Sequence, residues 1–126
     1  AEKLEVVHSL LPEYPLTTLP AGLNVGGNLS LNNLPNLTTL PAGLNVGGNL
    51  SLKNLPQLKN LSAGLNIGGN LSLHNLPQLT TLPAGLNVVG YLYLSNTPLA
   101  SKYSEEEIRA MIEKQGGNVK GKIRYI

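Results

Sequence analysis

The chain has 126 residues, enough for one domain, with a net charge of +2 and 41% hydrophobic residues, and it contains no Cys, Asp, Phe or Trp. The lack of cysteine excludes disulfides, thiol catalysis and Cys-ligated zinc. So small a charge gives no reason to expect a nucleic-acid partner, and no apolar run approaches the ~18 residues of a membrane span.

Residues 16–99 are four contiguous copies of one 21-residue unit, of which Leu37–Gln57, LTTLPAGLNVGGNLSLKNLPQ, is representative. A period near 20 residues is the mark of a solenoid, in which each unit stacks on its neighbours and one unit alone cannot bury its apolar face. Between Tyr14 and Ser101 the only charged residues are Lys53 and Lys59, and all seven acids are Glu in the end segments. Like charges stacked at ~5 Å would repel, so a neutral body suits an array.

In chain order, residues 1–15 read as an incomplete first coil that closes the amino end. One period of 21 places Leu4 and Leu10 under Val25 and Leu31, and His8 under Leu29, as a capping residue at the solvent edge. No signal peptide is visible, which leaves the compartment open. Inside each copy two rhythms alternate. Leu44, Val46, Gly48, Leu50 and Leu52 follow period two, which predicts extended chain with one buried face. Leu52, Leu55, Leu58 and Leu61 are spaced by three, which predicts an arc of turns or short 3₁₀ segments. Pro35, Pro41, Pro56 and Pro77 fall in that arc, where they cost no ladder hydrogen bond. Within the glycine pair, Gly27, Gly48, Gly69 and Gly90 are always kept, whereas Val89 replaces the first glycine in the fourth copy. Gly22, Gly43, Gly64 and Gly85 suit a turn before the strand. Asn33, Asn54, Asn75 and Asn96 follow the LxL strand and predict a stacked column at a left-handed corner.

After Leu99 the repeat breaks. Ser104 followed by Glu105, Glu106 and Glu107 forms a capping box, and Gly116-Gly117 supplies a stop, so a helix is predicted over about 105–115. Val119, Gly121, Ile123 and Tyr125 then return to the pattern of Val88, Gly90, Leu92 and Leu94. The expected organisation is a single domain over 1–126. Its parts are an amino cap (1–15), four repeats (16–99) and a helix-plus-strand carboxy cap (100–126).

The residues Leu37, Leu40, Pro41, Leu44, Leu50 and Leu52, with their equivalents, form an LxxLPxxL…LxL framework that resembles leucine-rich repeats. The short bacterial LPX type of effectors and related bacterial or phage proteins is the nearest form. Two departures stand out: Leu34, Leu55 and Leu76 stand near where a buried Asn usually follows the strand, and VGG replaces the usual preceding Leu. The resemblance implies a right-handed stack, a parallel sheet on one face, and protein binding. A β-solenoid with two strands per coil fits the same letters.

Catalysis is not expected. Without Asp and Cys the common triads are missing. His8 and His74 lie about three coils apart, too far to share a metal by the short ligand distances metals require. The asparagines of the N-x-S/T triplets (28, 36, 49, 60, 70) read as repeat composition rather than glycosylation sites. No cofactor is implied. The candidate contact surface is the outward face of the LxL strands, with columns Asn28/Asn49/Asn70/Tyr91/Lys122, Ser30/Ser51/Ser72/Tyr93/Arg124 and Asn32/Lys53/His74/Ser95. Tyr91 and Tyr93 beside Lys122 and Arg124 have the composition of interface anchors. The expected function is a monomeric protein-recognition or scaffold module. A structural spacer in a larger protein is the alternative. An ice- or carbohydrate-binding surface is a third possibility, and Thr17-Thr18, Thr38-Thr39 and Thr80-Thr81 suggest the ice variant.

Overall fold

The computed structural model describes residues 3–7 as backbone, together with residues 22–41 and 43–125. The chain winds as a parallel β-solenoid. β1 (Lys3–Val7), β3 (Asn28–Asn32), β5 (Leu50–Lys53), β7 (Leu71–His74), β9 (Leu92–Ser95) and β11 (Ile123–Arg124) form one six-stranded sheet in that order. The two-residue strands β2 (Asn24–Val25), β4 (Asn45–Val46), β6 (Asn66–Ile67), β8 (Asn87–Val88) and β10 (Asn118–Val119) form a second, five-stranded sheet. The stack of equivalent coils follows from the repeat, and the second strand of the two-stranded alternative is present.

Register follows the period. Leu29 pairs with Leu50, Leu50 with Leu71 and Leu71 with Leu92, and the last coil joins with Ile123 on Leu92. Equivalent leucines therefore lie over one another, and Leu29, Leu50, Leu71, Leu92, Leu44, Leu65 and Leu86 have no exposed surface. The arcs are single turns rather than 3₁₀ helices. Leu37, Leu58 and Leu79 donate to the carbonyls of Leu34, Leu55 and Leu76 at 3.4, 3.3 and 3.2 Å. Pro35, Pro56 and Pro77 take the second position of those turns, where their fixed φ fits and no N–H is required.

The amino-terminal strand departs from the expected register. Leu4 pairs with Leu29 and Val6 with Leu31, four residues longer than the repeat period, so Leu4 does not lie under Val25. Lys3–Val6 alternates polar and apolar residues as Asn28–Leu31 does, and pairing by alternation puts like on like there. The expectations for His8 and Leu10 lie outside the described residues.

The extended side of each coil is interrupted where the paired glycines bend it from the short sheet into the long one. A Cβ on Gly69 would overlap the Asn49 Oδ1 and sit 3.0 Å from both the carbonyl carbon and oxygen of Gly48. At the first position of the pair the obstacle is a single carbonyl, that of Gly47 beneath Gly68, and the coil can lift away from it. Where Val89 stands over Gly68, its N–H reaches the Ile67 carbonyl at 3.0 Å, against 2.7 Å for Gly47 to Val25 and Gly68 to Val46. The second glycine faces backbone and side chain together, which explains why only the first is replaced.

Asparagine forms continuous ladders at two corners. Asn33, Asn54, Asn75 and Asn96 all have positive φ, between 54° and 58°. Each amide Nδ2 donates to the Oδ1 one coil below: Asn54 to Asn33 at 3.0 Å, Asn75 to Asn54 at 2.8 Å and Asn96 to Asn75 at 3.2 Å. A second ladder, not anticipated from the sequence, links Asn24, Asn45, Asn66 and Asn87 at 3.1 Å per step.

The fourth coil ends in a short helix, α1 (Pro98–Lys102), that was not expected. Thr97 replaces the leucine of earlier copies, and its buried hydroxyl accepts from the Ala100 N–H at 3.3 Å, with Pro98 at the first helical position. α2 (Glu105–Lys114) matches the predicted helix. Its capping box is closed by Glu107 N–H to Ser104 Oγ at 3.1 Å and Ser104 N–H to Glu107 Oε1 at 2.8 Å. Gly116, at φ 83°, and Gly117 close its other end by donating to Glu113 and Ile112. Ile108 and Ile112 bury one face, and α2 packs against β10 and β11.

Two outcomes follow. Asn54→Asp keeps a residue tolerant of positive φ but puts a carboxylate oxygen against Asn33 Oδ1. Urea unfolding should show a loss of about 0.5–1.5 kcal/mol at neutral pH. Because that carboxyl is harder to ionise in the fold, the loss should shrink as the pH is lowered into the carboxylate range. Gly69→Ala should cost more than Gly64→Ala, in thermal melts of both. The methyl at Gly64 has open space around it and only φ +72° against it, a penalty of about 1–2 kcal/mol.

Candidate recognition face

The outward surface of the six-stranded sheet is built from residues that alternate with the buried leucines. Ser30, Ser51, Ser72, Tyr93 and Arg124 are consecutive register partners, and so are Asn32, Lys53, His74 and Ser95. The sequence-derived columns therefore exist as physical rows. The serines and Tyr93 are half-buried between their neighbours, whereas Lys53, His74, Lys122 and Arg124 are exposed.

One column serves a second purpose that its polarity did not reveal. Asn28 Oδ1 accepts the Asn49 backbone N–H at 2.8 Å, Asn49 Oδ1 accepts that of Asn70 at 2.7 Å, and Asn70 Oδ1 accepts that of Tyr91 at 2.8 Å. At the corner just past the glycines the strand ladder has not yet begun, so the N–H of the next coil needs an acceptor. The asparagine one coil below supplies it. Asn28, Asn49 and Asn70 are thus fasteners of the stack at their carbonyl end, with only the amide nitrogens left for a partner. Spacing alone could have hinted at this, since the column ends where Tyr91 begins and no further coil of the same kind follows.

The tyrosines break the polar rows. Their ring centroids lie 5.9 Å apart with planes tilted by 38°, a favourable aromatic geometry. Tyr91 is 38% exposed and Val89 52%, and these are the large apolar side chains most open to solvent among the described residues. Beside Tyr93 a shallow open groove is lined by Lys53, Ser72, His74 and Ser95. The candidate residues Tyr93, Lys53, Ser72 and His74 thus converge on one depression. Lys122 and Arg124 line a different one, with Glu105, Glu106 and Arg109 of α2. The acidic first turn of α2 and the two cations line the same depression, a proximity that their separation in sequence concealed.

The threonines lie elsewhere. Thr38, Thr80 and Thr81 are exposed and Thr39 is half-buried on the arc, where Thr39 bridges to Asn60. Thr17 and Thr18 lie outside the described residues. No group of three or more His, Cys, Asp or Glu side chains that could hold a metal occurs among the described residues. No described helix is long and apolar enough to cross a membrane.

Behind the face, the last coil is tied to the helices. The Tyr125 hydroxyl donates to the Tyr103 carbonyl at 2.7 Å. Burial, and then the negative charges of Glu105 and Glu107, raise its pKa above the ordinary 10.0. Comparisons with protein-family models, with curated proteins and with solved structures found no match to this chain.

The raised Tyr125 pKa has a defined sign. The unfolded chain gives up this proton first, so the contribution to stability is complete below pH 10 and is lost as the pH rises through the folded value. Denaturant titrations at increasing pH should show stability falling above about pH 10. Tyr125→Phe should fall less steeply.

Proposed function

We propose that this protein is a non-catalytic recognition module that binds a protein partner through the outward face of its long sheet, centred on Tyr91 and Tyr93. The observation that carries the reading is the break in the rows. Three coils present Asn and Ser at these positions, and the fourth presents two adjacent tyrosines instead. A stack does not require this change, because Asn and Ser satisfy it in the three preceding repeats. Tyr combines apolar area with a hydrogen-bonding tip and loses little entropy when fixed, which is why it recurs at interface centres. The neighbouring groove of Lys53, Ser72, His74 and Ser95 adds polar contacts that can set orientation. The likeness of the leucine framework to leucine-rich repeats, whose usual role is protein binding, agrees with this reading. The missing Asp and Cys agree with a role without catalysis.

The test is to return the fourth coil to the pattern of the third. Tyr91→Asn with Tyr93→Ser should leave the thermal midpoint nearly unchanged, because each new residue has a working counterpart one coil below. Proteins crosslinked to the wild-type face should be lost, with affinity for any purified partner falling at least about 30-fold if the pair is worth ~2 kcal/mol. Identical crosslinked sets for the two proteins would instead favour a structural spacer.

A further inference from the structure

Four successive coils each hand two carbonyls of their glycine bend to the coil that follows. At the first position the Val25, Val46, Ile67 and Val88 carbonyls accept from the N–H of Gly47, Gly68, Val89 and Lys120 at 2.7, 2.7, 3.0 and 2.9 Å. At the second, the Gly27, Gly48, Gly69 and Gly90 carbonyls accept from Gly48, Gly69, Gly90 and Gly121 at 2.8, 2.8, 2.8 and 2.9 Å. In the last coil the corresponding carbonyls are those of Val119 and Gly121. No coil lies over them among the described residues, and Arg109 fills both places: its Nη1 donates to Val119 at 2.6 Å and its Nη2 to Gly121 at 2.7 Å.

We infer that Arg109 is the stop of the array, a guanidinium that imitates the paired N–H donors of a next coil and so denies this end of the stack to a second copy of the chain. A planar fork with parallel N–H groups matches two carbonyls that point the same way, which a lysine ammonium cannot do. Charge-assisted bonds are roughly twice as strong as neutral ones, so an incoming backbone would replace two good bonds with two weaker ones. The occupant follows from the structure itself. The face under Arg109 repeats the one on which each coil receives its neighbour, and β2 forms the opposite edge of the five-stranded sheet, so a second copy carries a matching strand and glycine bend. Glu105, Glu106, Lys122 and Arg124 line the depression beside the guanidinium and add charge to that edge. Arg109 is a positioning residue in this account and contacts no ligand.

Sedimentation of the 126-residue chain over a range of concentrations tests this. Wild type should keep one mass throughout. Arg109→Ala, with its circular dichroism unchanged, should show a roughly twofold or larger rise in weight-average mass with concentration as copies add end to end. Arg109→Lys, whose compact ammonium lacks the planar fork that spans both carbonyls, should fall between them. A folded Arg109→Ala protein that stays monomeric, or a wild type that associates equally, would overturn the inference. If Arg109→Ala unfolds, NMR of the wild type decides. Couplings through hydrogen bonds from the Arg109 Nη protons to the Val119 and Gly121 carbonyls, with slow exchange, are expected. Exchange as fast as that of exposed Arg124 would refute it.

Discussion

In this stack each residue's nearest neighbour along the axis is its own counterpart, about 4.8 Å away. A side chain can therefore occupy a repeated position only if it tolerates itself. Leucine meets the condition by dispersion contact, and Leu29, Leu50, Leu71 and Leu92 are wholly buried against one another. Asparagine meets it because one amide both donates and accepts, so a column of any length is self-satisfied. Aspartate fails on both counts, being all acceptor and charged. A body with two lysines, no acids and repeated columns of Asn is what this constraint selects.

The same rule explains the three different uses of asparagine. At the left-handed corner after the long strand, Asn33 and its counterparts tolerate positive φ and chain side chain to side chain. At the first position of the short strand, Asn24 and its counterparts chain side chain to side chain without the strained backbone. At the start of the long sheet, Asn28 turns its oxygen to the backbone of the next coil instead. The close approach there is why the second glycine of the pair admits no Cβ, since the asparagine oxygen already occupies that space.

Copying must stop at the ends, and the irregular residues gather there. Tyr91 ends the Asn28 column, Thr97 and Pro98 turn an arc into a helix, and α2 lies over the final strands. The charges excluded from the body reappear in this segment, where each has no counterpart to repel it. The carboxy end is thus both the place where the coil pattern closes and the place where the surface becomes chemically distinctive. The two proposals use different parts of it: the tyrosines on the sheet face and Arg109 on the end of the stack.

Much of this was legible in the letters. The period set which leucine lies over which, alternation set which residues point out, and Ser104 with Glu107 marked the start of α2 to the residue. The rows Ser30/Ser51/Ser72/Tyr93 and Asn32/Lys53/His74/Ser95 could be written before any coordinates. What only the tertiary structure decided was where polar groups send their hydrogen bonds. It showed that the glycine bend splits the extended side into two sheets, and that Leu4 pairs by alternation rather than by period. It also committed Asn28 to its neighbour's backbone and carried Arg109 across to Val119 and Gly121. A repeat encodes which residue meets its own image, because translation along the axis is all that requires. The destination of an amide or a guanidinium depends on angles and separations between chain segments, and spacing in a sequence carries no direction.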